Sequence, residues 1–168
     1  MAPEIKKIAM IGCGSMGGGM ALLFAEHGMS IGIAIFETKC LLSASGLQVS
    51  LQDPSTEAMD AILKNAKQDG LESKVSKHED YKSLCESLDK PKVFFWSLPH
   101  GHVGDQVLEG LMPNLEKGDI FVDCANEHWQ NTERRQGIAT PKGIKYVGCG
   151  VSGGYQAASV HLHEMWLS

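Results

Sequence analysis

The stretch Lys7-Ile-Ala-Met-Ile-Gly-Cys-Gly-Ser-Met-Gly17 constrains this chain more than any other. It reads as a short apolar strand, then glycines spaced Gly12-x-Gly14-x-x-Gly17, then an apolar helix to about Glu26. That order is what a βα turn around a dinucleotide pyrophosphate requires. Gly12 permits the tight turn, Gly14 lets the backbone approach a phosphate, and Gly17 lets the helix pack close to the strand. The helix start then presents free N–H groups and a positive dipole end to the phosphates. Cys13, Ser15 and Met16 fill the positions between the glycines. A blander reading makes Gly17, Gly18 and Gly19 helix-packing residues. A signal peptide is a poorer fit, because glycines interrupt the apolar run and an α/β pattern follows it.

The 168 residues suit one domain with a real core. A net charge of −5 and the lack of a basic patch argue against nucleic acid as a partner. No apolar run is long enough to span a bilayer, which argues against a membrane. Cys13, Cys40, Cys85, Cys124 and Cys149 are odd in number and contain no CxxC pair. They read as reduced, mostly buried residues of a cytoplasmic protein. His100-x-His102 and His161-x-His163 lack a third ligand at convincing spacing, so no metal is expected. No GxSxG signals a hydrolase. Trp96 reads as core and Trp129 as packing.

Strand and helix patterns alternate along the rest of the chain. His27-Gly28 is a helix stop. Strand patterns lie at Ile31–Phe36, Leu47–Leu51, Val93–Leu98, Asp119–Val122 and Ile144–Val147, with a shorter one near Val75. Helix patterns lie at Ala58–Ala66, Glu79–Leu88, Val103–Leu111 and Gln130–Ile138. The expected fold is α/β, a Rossmann-like, doubly wound, mostly parallel sheet. In such a sheet the glycine loop, Leu98-Pro-His-Gly101, Asp123-Cys-Ala-Asn-Glu127 and Gly148-Cys-Gly-Val-Ser-Gly-Gly154 gather at the carboxyl edge. The acid that grips the adenosine ribose is either Glu37 or Asp53. Spacing from the glycines favours Glu37. The helix pattern that follows favours Asp53, because Thr38 to Gly46 is a nondescript stretch.

These loops together resemble the N-terminal coenzyme domain of the 6-phosphogluconate dehydrogenase family, within the β-hydroxyacid dehydrogenases. The resemblance rests on the Gly12–Gly17 loop, Val49-Ser-Leu-Gln-Asp-Pro-Ser55, Lys117-Gly-Asp-Ile-Phe-Val-Asp123, Asn126, Asn131-Thr-Glu-Arg-Arg135 and Lys142-Gly-Ile-Lys-Tyr-Val-Gly-Cys-Gly-Val-Ser-Gly-Gly154. It implies an oxidoreductase of the pentose phosphate pathway that uses NADP or NAD and acts on 6-phosphogluconate or a related hydroxy acid. By resemblance, Gly12–Gly17 hold the pyrophosphate, and Asp53, Pro54 and Ser55 occupy the adenosine 2′-phosphate position. Leu98, Pro99 and His100 lie along the coenzyme. Asn126 meets both nicotinamide and substrate, and Ser152, Gly153 and Gly154 bind substrate. A 3-hydroxyisobutyrate-type dehydrogenase fragment and a non-catalytic NAD(P)H-binding regulatory module are the alternatives.

The chain departs from that family in four places. Asp53-Pro54-Ser55 stands where NADP enzymes carry Asn-Arg-Ser/Thr, so a carboxylate faces a group bearing about −1.5 to −2 charges. Cys124-Ala125-Asn126 replaces Gly-Gly-Asn. Residues 30–46 read as an insertion within a coenzyme domain spanning 1–158, and removing them brings Asp53 to the expected distance from the glycines. The resemblance fades into a divergent tail at 159–168. The family's helical domain, with its catalytic groups and most of its dimer interface, is expected to be absent. The chain is then expected to be incomplete for catalysis, with no catalytic residue of its own.

Overall fold

The structure, a computed structural model, describes residues 4–28, 32–35, 38–42 and 46–152. Six strands form a wholly parallel sheet: β2 (Lys7–Ile11), β5 (Gln48–Gln52), β6 (Val75–Lys77), β7 (Val93–Trp96), β8 (Ile120–Asp123) and β9 (Lys145–Gly148). Their spatial order is β6-β5-β2-β7-β8-β9. The sheet therefore switches direction of winding at β2, where ligands of doubly wound sheets bind. The helices are α1 (Ser15–His27), α2 (Thr56–Gln68), α3 (Tyr81–Glu86), α4 (His102–Leu111) and α5 (Trp129–Ala139).

Strand alternation explains why both faces are covered. Ile8 and Met10 of β2 point into one core, with Phe24 of α1 and Met59 and Ile62 of α2. Ala9 and Ile11 point into the other, with Leu84 of α3 and Val107, Leu108 and Leu111 of α4. The same alternation splits Val93 and Phe95 from Phe94 and Trp96 on β7. A strand buried on both faces reads as the continuous apolar run seen in the sequence. In the second core Phe94 stacks on Phe121 with centroids 4.6 Å apart.

Local chemistry sets the helix ends. Gly28, at φ +70°, stops α1 by donating its N–H to the Phe24 carbonyl. Ser55 caps α2 by accepting the Ala58 N–H, and Asp80 caps α3 by accepting the Ser83 N–H. Asp80 thus starts α3 later than the expected Glu79. The expected strand at Asp119 begins at Ile120 instead, because the Asp119 N–H closes the preceding turn by donating to the Glu116 carbonyl at 3.1 Å.

The stretch between α1 and β5 differs from expectation. Gly32–Ile35 (β3) is a strand, but it pairs antiparallel with a second strand, Thr38–Leu42 (β4), and not with the main sheet. The nondescript stretch from Thr38 therefore contains a strand. Its partner is distant in sequence: β4 runs parallel to β1 (Glu4–Ile5), with Glu4 opposite Leu41. Since β1 precedes β2, this small sheet sits at the amino end of β2, opposite the glycine loop. Glu37 itself lies outside the described residues, as do Gly153 and Gly154. Among the described residues no helix is long and apolar enough to cross a membrane.

The turn after β2 is closed by backbone proximity. Gly12 has φ +88°, and a Cβ there would stand 2.3 Å from the Ser97 carbonyl oxygen. A Cβ on Gly17 would stand 1.9 Å from the Gly12 oxygen. Gly14 has nothing within 4 Å of its Cβ position, and its φ of −66° suits any residue. Gly17→Ala should therefore lower the unfolding free energy by about 2–3 kcal/mol. Gly14→Ala should change it by less than about 0.5 kcal/mol. Urea denaturation of the two variants checks this ordering.

Candidate functional site at the carboxyl edge

Two clefts open at the carboxyl edge. The first, about 670 Å³, is lined by Gly12, Gly14, Ser15, Met16 and Gly17 on one side and by Gln52, Asp53 and Pro54 at the end of β5. Leu98 and Pro99 from the β7 loop, Tyr81 of α3 and Val103, Gln106 and Val107 of α4 complete it. Its size suits a small-molecule ligand. The amino end of α1 faces it with no side chain capping the helix, so the first-turn N–H groups are available to an anion.

Asp53 links the two sides of this cleft. Its Oδ2 accepts the Cys13 N–H at 2.6 Å, and its Oδ1 accepts the Ser55 N–H at 2.8 Å. One carboxylate thereby fixes the glycine loop to the start of α2. Each oxygen keeps acceptor capacity, because a carboxylate offers about four lone-pair sites. Cys13 contributes its backbone only. Its thiol is buried against the Gln52 carbonyl, and burial, with Asp53 adding, pushes its pKa up to about 12.

The second cleft, about 530 Å³, lies between the loops after β8 and β9. Asn126, Gly148, Cys149 and Gly150 line it, with Trp129, Thr132 and Gln136 of α5. Asn126 has φ +55°. Its Nδ2 donates to the Val151 carbonyl at 2.8 Å and its Oδ1 accepts the Val151 N–H at 2.7 Å. The side chain thus clamps one loop to the other, leaving one amide hydrogen and one lone pair for a ligand. Trp129, expected in packing, is the first residue of α5 and is 63% exposed at this cleft.

Behind both clefts lies a buried arginine. Arg135 is 1% exposed. Its Nε donates to Asp105 at 2.9 Å, its Nη2 to the Gly101 carbonyl at 2.6 Å, and its Nη1 lies 3.2 Å from Glu127 and 3.4 Å from Asp123. Tyr146 of β9 donates its hydroxyl to the same Asp123. Gly104 makes room for the guanidinium: a Cβ there would stand 2.6 Å from Cζ. Glu127 returns to the β7 loop by accepting the Gly101 N–H at 2.8 Å. Burial alone would raise the Glu127 pKa. The bonds from Asn131 and the Gly101 and His128 N–H groups, with the Arg135 charge, outweigh it and hold the pKa at about 2.

A profile of the NAD-binding domain of 6-phosphogluconate dehydrogenase matches residues 39–162. The chain belongs to this family. It is 37% identical over 119 residues to the decarboxylating 6-phosphogluconate dehydrogenase of Emericella nidulans, covering 69% of this chain and 24% of that protein. It is 31% identical over 147 residues to the NAD(+)-dependent decarboxylating enzyme of Bacillus subtilis, covering 88% of this chain and 27% of the other. The solved 6-phosphogluconate dehydrogenase of Plasmodium falciparum, studied with NADP+ and with 6-phosphogluconate, superposes with a TM-score of 0.75 at 25% identity. That match covers 91% of this chain and 28% of the other. The chain thus spans about a quarter of the length of these 6-phosphogluconate dehydrogenases.

The expected site residues divide between the two clefts. Gly12, Gly14, Ser15, Met16, Gly17, Asp53, Pro54, Leu98 and Pro99 line the first, and Asn126 the second. Ser55 caps α2, and His100 is exposed beside the first cleft without lining it. Ser152 is exposed just beyond the Val151 clamp. Reading the sequence for site residues missed Gln52, Tyr81 and the hub of Asp105, Asp123, Glu127, Arg135 and Tyr146. The hub's signal was present: Asn131-Thr-Glu-Arg-Arg135 was distinctive without a role.

Arg135→Leu would leave three carboxylates without their shared cation, so unfolding free energy should fall by about 3–5 kcal/mol at pH 7. Glu127 has a folded pKa below its ordinary 4.5. Its contribution is therefore present above about pH 4.5 and lost as pH falls toward 2. Urea titrations from pH 5 to pH 2.5 should show the stability gap between wild type and Glu127→Gln narrowing as pH falls.

Proposed function

We propose that this chain binds a nicotinamide dinucleotide along the carboxyl edge, as the coenzyme half of a decarboxylating 6-phosphogluconate dehydrogenase-type oxidoreductase, and that it prefers NAD to NADP. The observation that carries the reading is the Asp53 carboxylate at the end of β5, inside the same cleft as the open Gly14 and the uncapped start of α1. The residues present fit the coenzyme. Space at the Gly14 Cβ position admits a phosphate, and the first-turn N–H groups of Ser15, Met16 and Gly17 hold it. The remaining acceptor sites of Asp53 bind ribose hydroxyls and repel a 2′-phosphate. Pro54 stands where NADP enzymes of the family carry arginine and supplies no cation. The family membership and the NAD(+)-dependent relative support this reading.

A nicotinamide held here would supply a hydride acceptor for a secondary alcohol. The chain's own contribution is position. Leu98, Pro99 and His100 run alongside the coenzyme from the first cleft toward the second. Asn126 holds the nicotinamide and substrate with the donor and acceptor capacity that Val151 leaves free. Ser152, Gly153 and Gly154 offer a hydroxyl and backbone N–H groups to an anionic sugar acid such as 6-phosphogluconate. Removing the alcohol proton as hydride leaves needs a base in reach, and we assign that role to no residue of this chain. We propose that the 168 residues bind coenzyme without turning over alone, that 1–158 form the binding domain, and that 30–46 are an insertion in it. The unpaired thiols of Cys13, Cys85, Cys124 and Cys149 fit a reducing, cytoplasmic setting.

Calorimetric titration tests the coenzyme reading. NADH should bind at least tenfold more tightly than NADPH. In Asp53→Asn the two should come within about threefold, because the repulsion of the 2′-phosphate is gone. Equal binding by the unmodified chain, or NADPH preference, overturns the assignment of Asp53. Formation of NADH from NAD and 6-phosphogluconate by the purified chain overturns the statement that it does not turn over alone.

A further inference from the structure

The glycine-loop cleft has a buried, unpartnered polar atom on its lining that the preceding reading does not use. Gln52 is 7% exposed, and its Oε1 is fully enclosed with no hydrogen-bond partner. Such an orphan is uncommon in native proteins and calls for an explanation. Gln52 also lines the cleft. It shares a strand face with Ser50, whose hydroxyl bonds that of Ser87 just past α3 at 2.9 Å. Gln52 therefore points to the α3 side of the sheet. Tyr81, the first residue of α3, walls that side, and its ring lies against α4: a Cβ on Gly110 would stand 2.7 Å from it. Val103, Gln106 and Val107 of α4 line the same cleft, and Gln52 brings to it a buried acceptor without a partner.

We propose that Gln52 is a specificity residue for the base of the coenzyme, its Oε1 accepting a hydrogen bond from the 6-amino group of adenine. This rests on the coenzyme reading above. A buried acceptor needs a donor, and the adenosine half offers only two kinds. The ribose hydroxyls belong to Asp53, the next residue along the chain. Glycosylated adenine carries no ring N–H, so the 6-amino group is the remaining donor. The nicotinamide carboxamide lies at the other end of the ligand, toward Asn126. A site built around a hydrogen-bonding group discriminates against analogues lacking that group, because its own polar atom is then left unpaired.

The test compares NADH with the reduced dinucleotide that carries purine in place of adenine and so lacks only the 6-amino group. Both are titrated calorimetrically into the full chain, unmodified and as Gln52→Leu. The unmodified chain should bind NADH about tenfold more tightly than the purine analogue. In Gln52→Leu the preference should fall to within about twofold, through loss of NADH affinity, while the melting temperature without ligand is unchanged or higher. Equal binding of NADH and the purine analogue by the unmodified chain overturns the proposal and leaves the coenzyme reading intact. A preference that persists in Gln52→Leu overturns it as well. Failure of the unmodified chain to bind NADH overturns both. The analogue comparison needs no variant, so a poorly folding Gln52→Leu would not protect the proposal.

Discussion

The carboxyl edge depends on one buried cation. Arg135 rises from α5 beneath the β7 and β8 loops and meets Asp105, Asp123, Glu127 and the Gly101 carbonyl. Isolated, a guanidinium at 1% exposure would carry a large desolvation cost. Here three carboxylates and a carbonyl surround it, and although burial lowers its pKa, the bond to and charge of Asp105 outweigh that cost and raise it. The charges serve geometry. Gly101 is bonded on both sides, through its oxygen to Arg135 and its N–H to Glu127. Asp123 also takes the Ala125 N–H at 2.9 Å. The loops that carry Pro99 and Asn126 are therefore joined by one network.

The glycine loop is anchored by different physics. Gly12 and Gly17 are placed by steric exclusion, with carbonyl oxygens occupying the space a methyl group would need. Gly14 is the reverse case, since open space surrounds its Cβ position. The same residue type thus does two jobs within six positions. Two closely packed glycines fix the turn, and one exposed glycine leaves room on the ligand side. Asp53 joins this turn to β5 through the Cys13 N–H, so the acid at the strand end is a structural part of the loop. Its second oxygen takes the Ser55 N–H, so the same carboxylate also ties the loop to the start of α2.

What the sequence made legible follows from which interactions are local. The glycine spacing, the apolar runs of β7 and β8 and the helix stop at His27-Gly28 are short-range patterns, and they announced an α/β, Rossmann-like fold correctly. The hairpin of β3 and β4 was half legible. Ile31–Phe36 is strand-like by composition, but the pairing of Leu41 with Glu4 is long-range and leaves no periodic mark. That pairing carries the hairpin to the amino end of β2, away from the glycine loop. The buried hub was illegible as a hub, because Asp105, Asp123, Glu127 and Arg135 are dispersed along the chain and unite only when α4, β8 and α5 pack.

Gln52 shows the limit of pattern reading most sharply. It is the last residue of a strand whose three preceding residues, Val49, Ser50 and Leu51, are buried, and an apolar side chain there would suit the core on general grounds. A glutamine costs stability at such a position unless something satisfies it. Trp96 Nε1 is similarly enclosed without a partner, but Trp96 lies within the aromatic packing of β7, β8 and β9 and lines neither cleft. The difference between the two orphans is place: Gln52 lines the first cleft and Trp96 lines neither. A buried polar atom in a sealed core is a cost without return, whereas one on a residue that lines a cleft can recover that cost when a ligand with the matching group seats there and the amide turns toward it. Its place on the cleft lining is what singles out Gln52 for the proposed recognition of a ligand, while the same unsatisfied state at Trp96 has no cleft beside it.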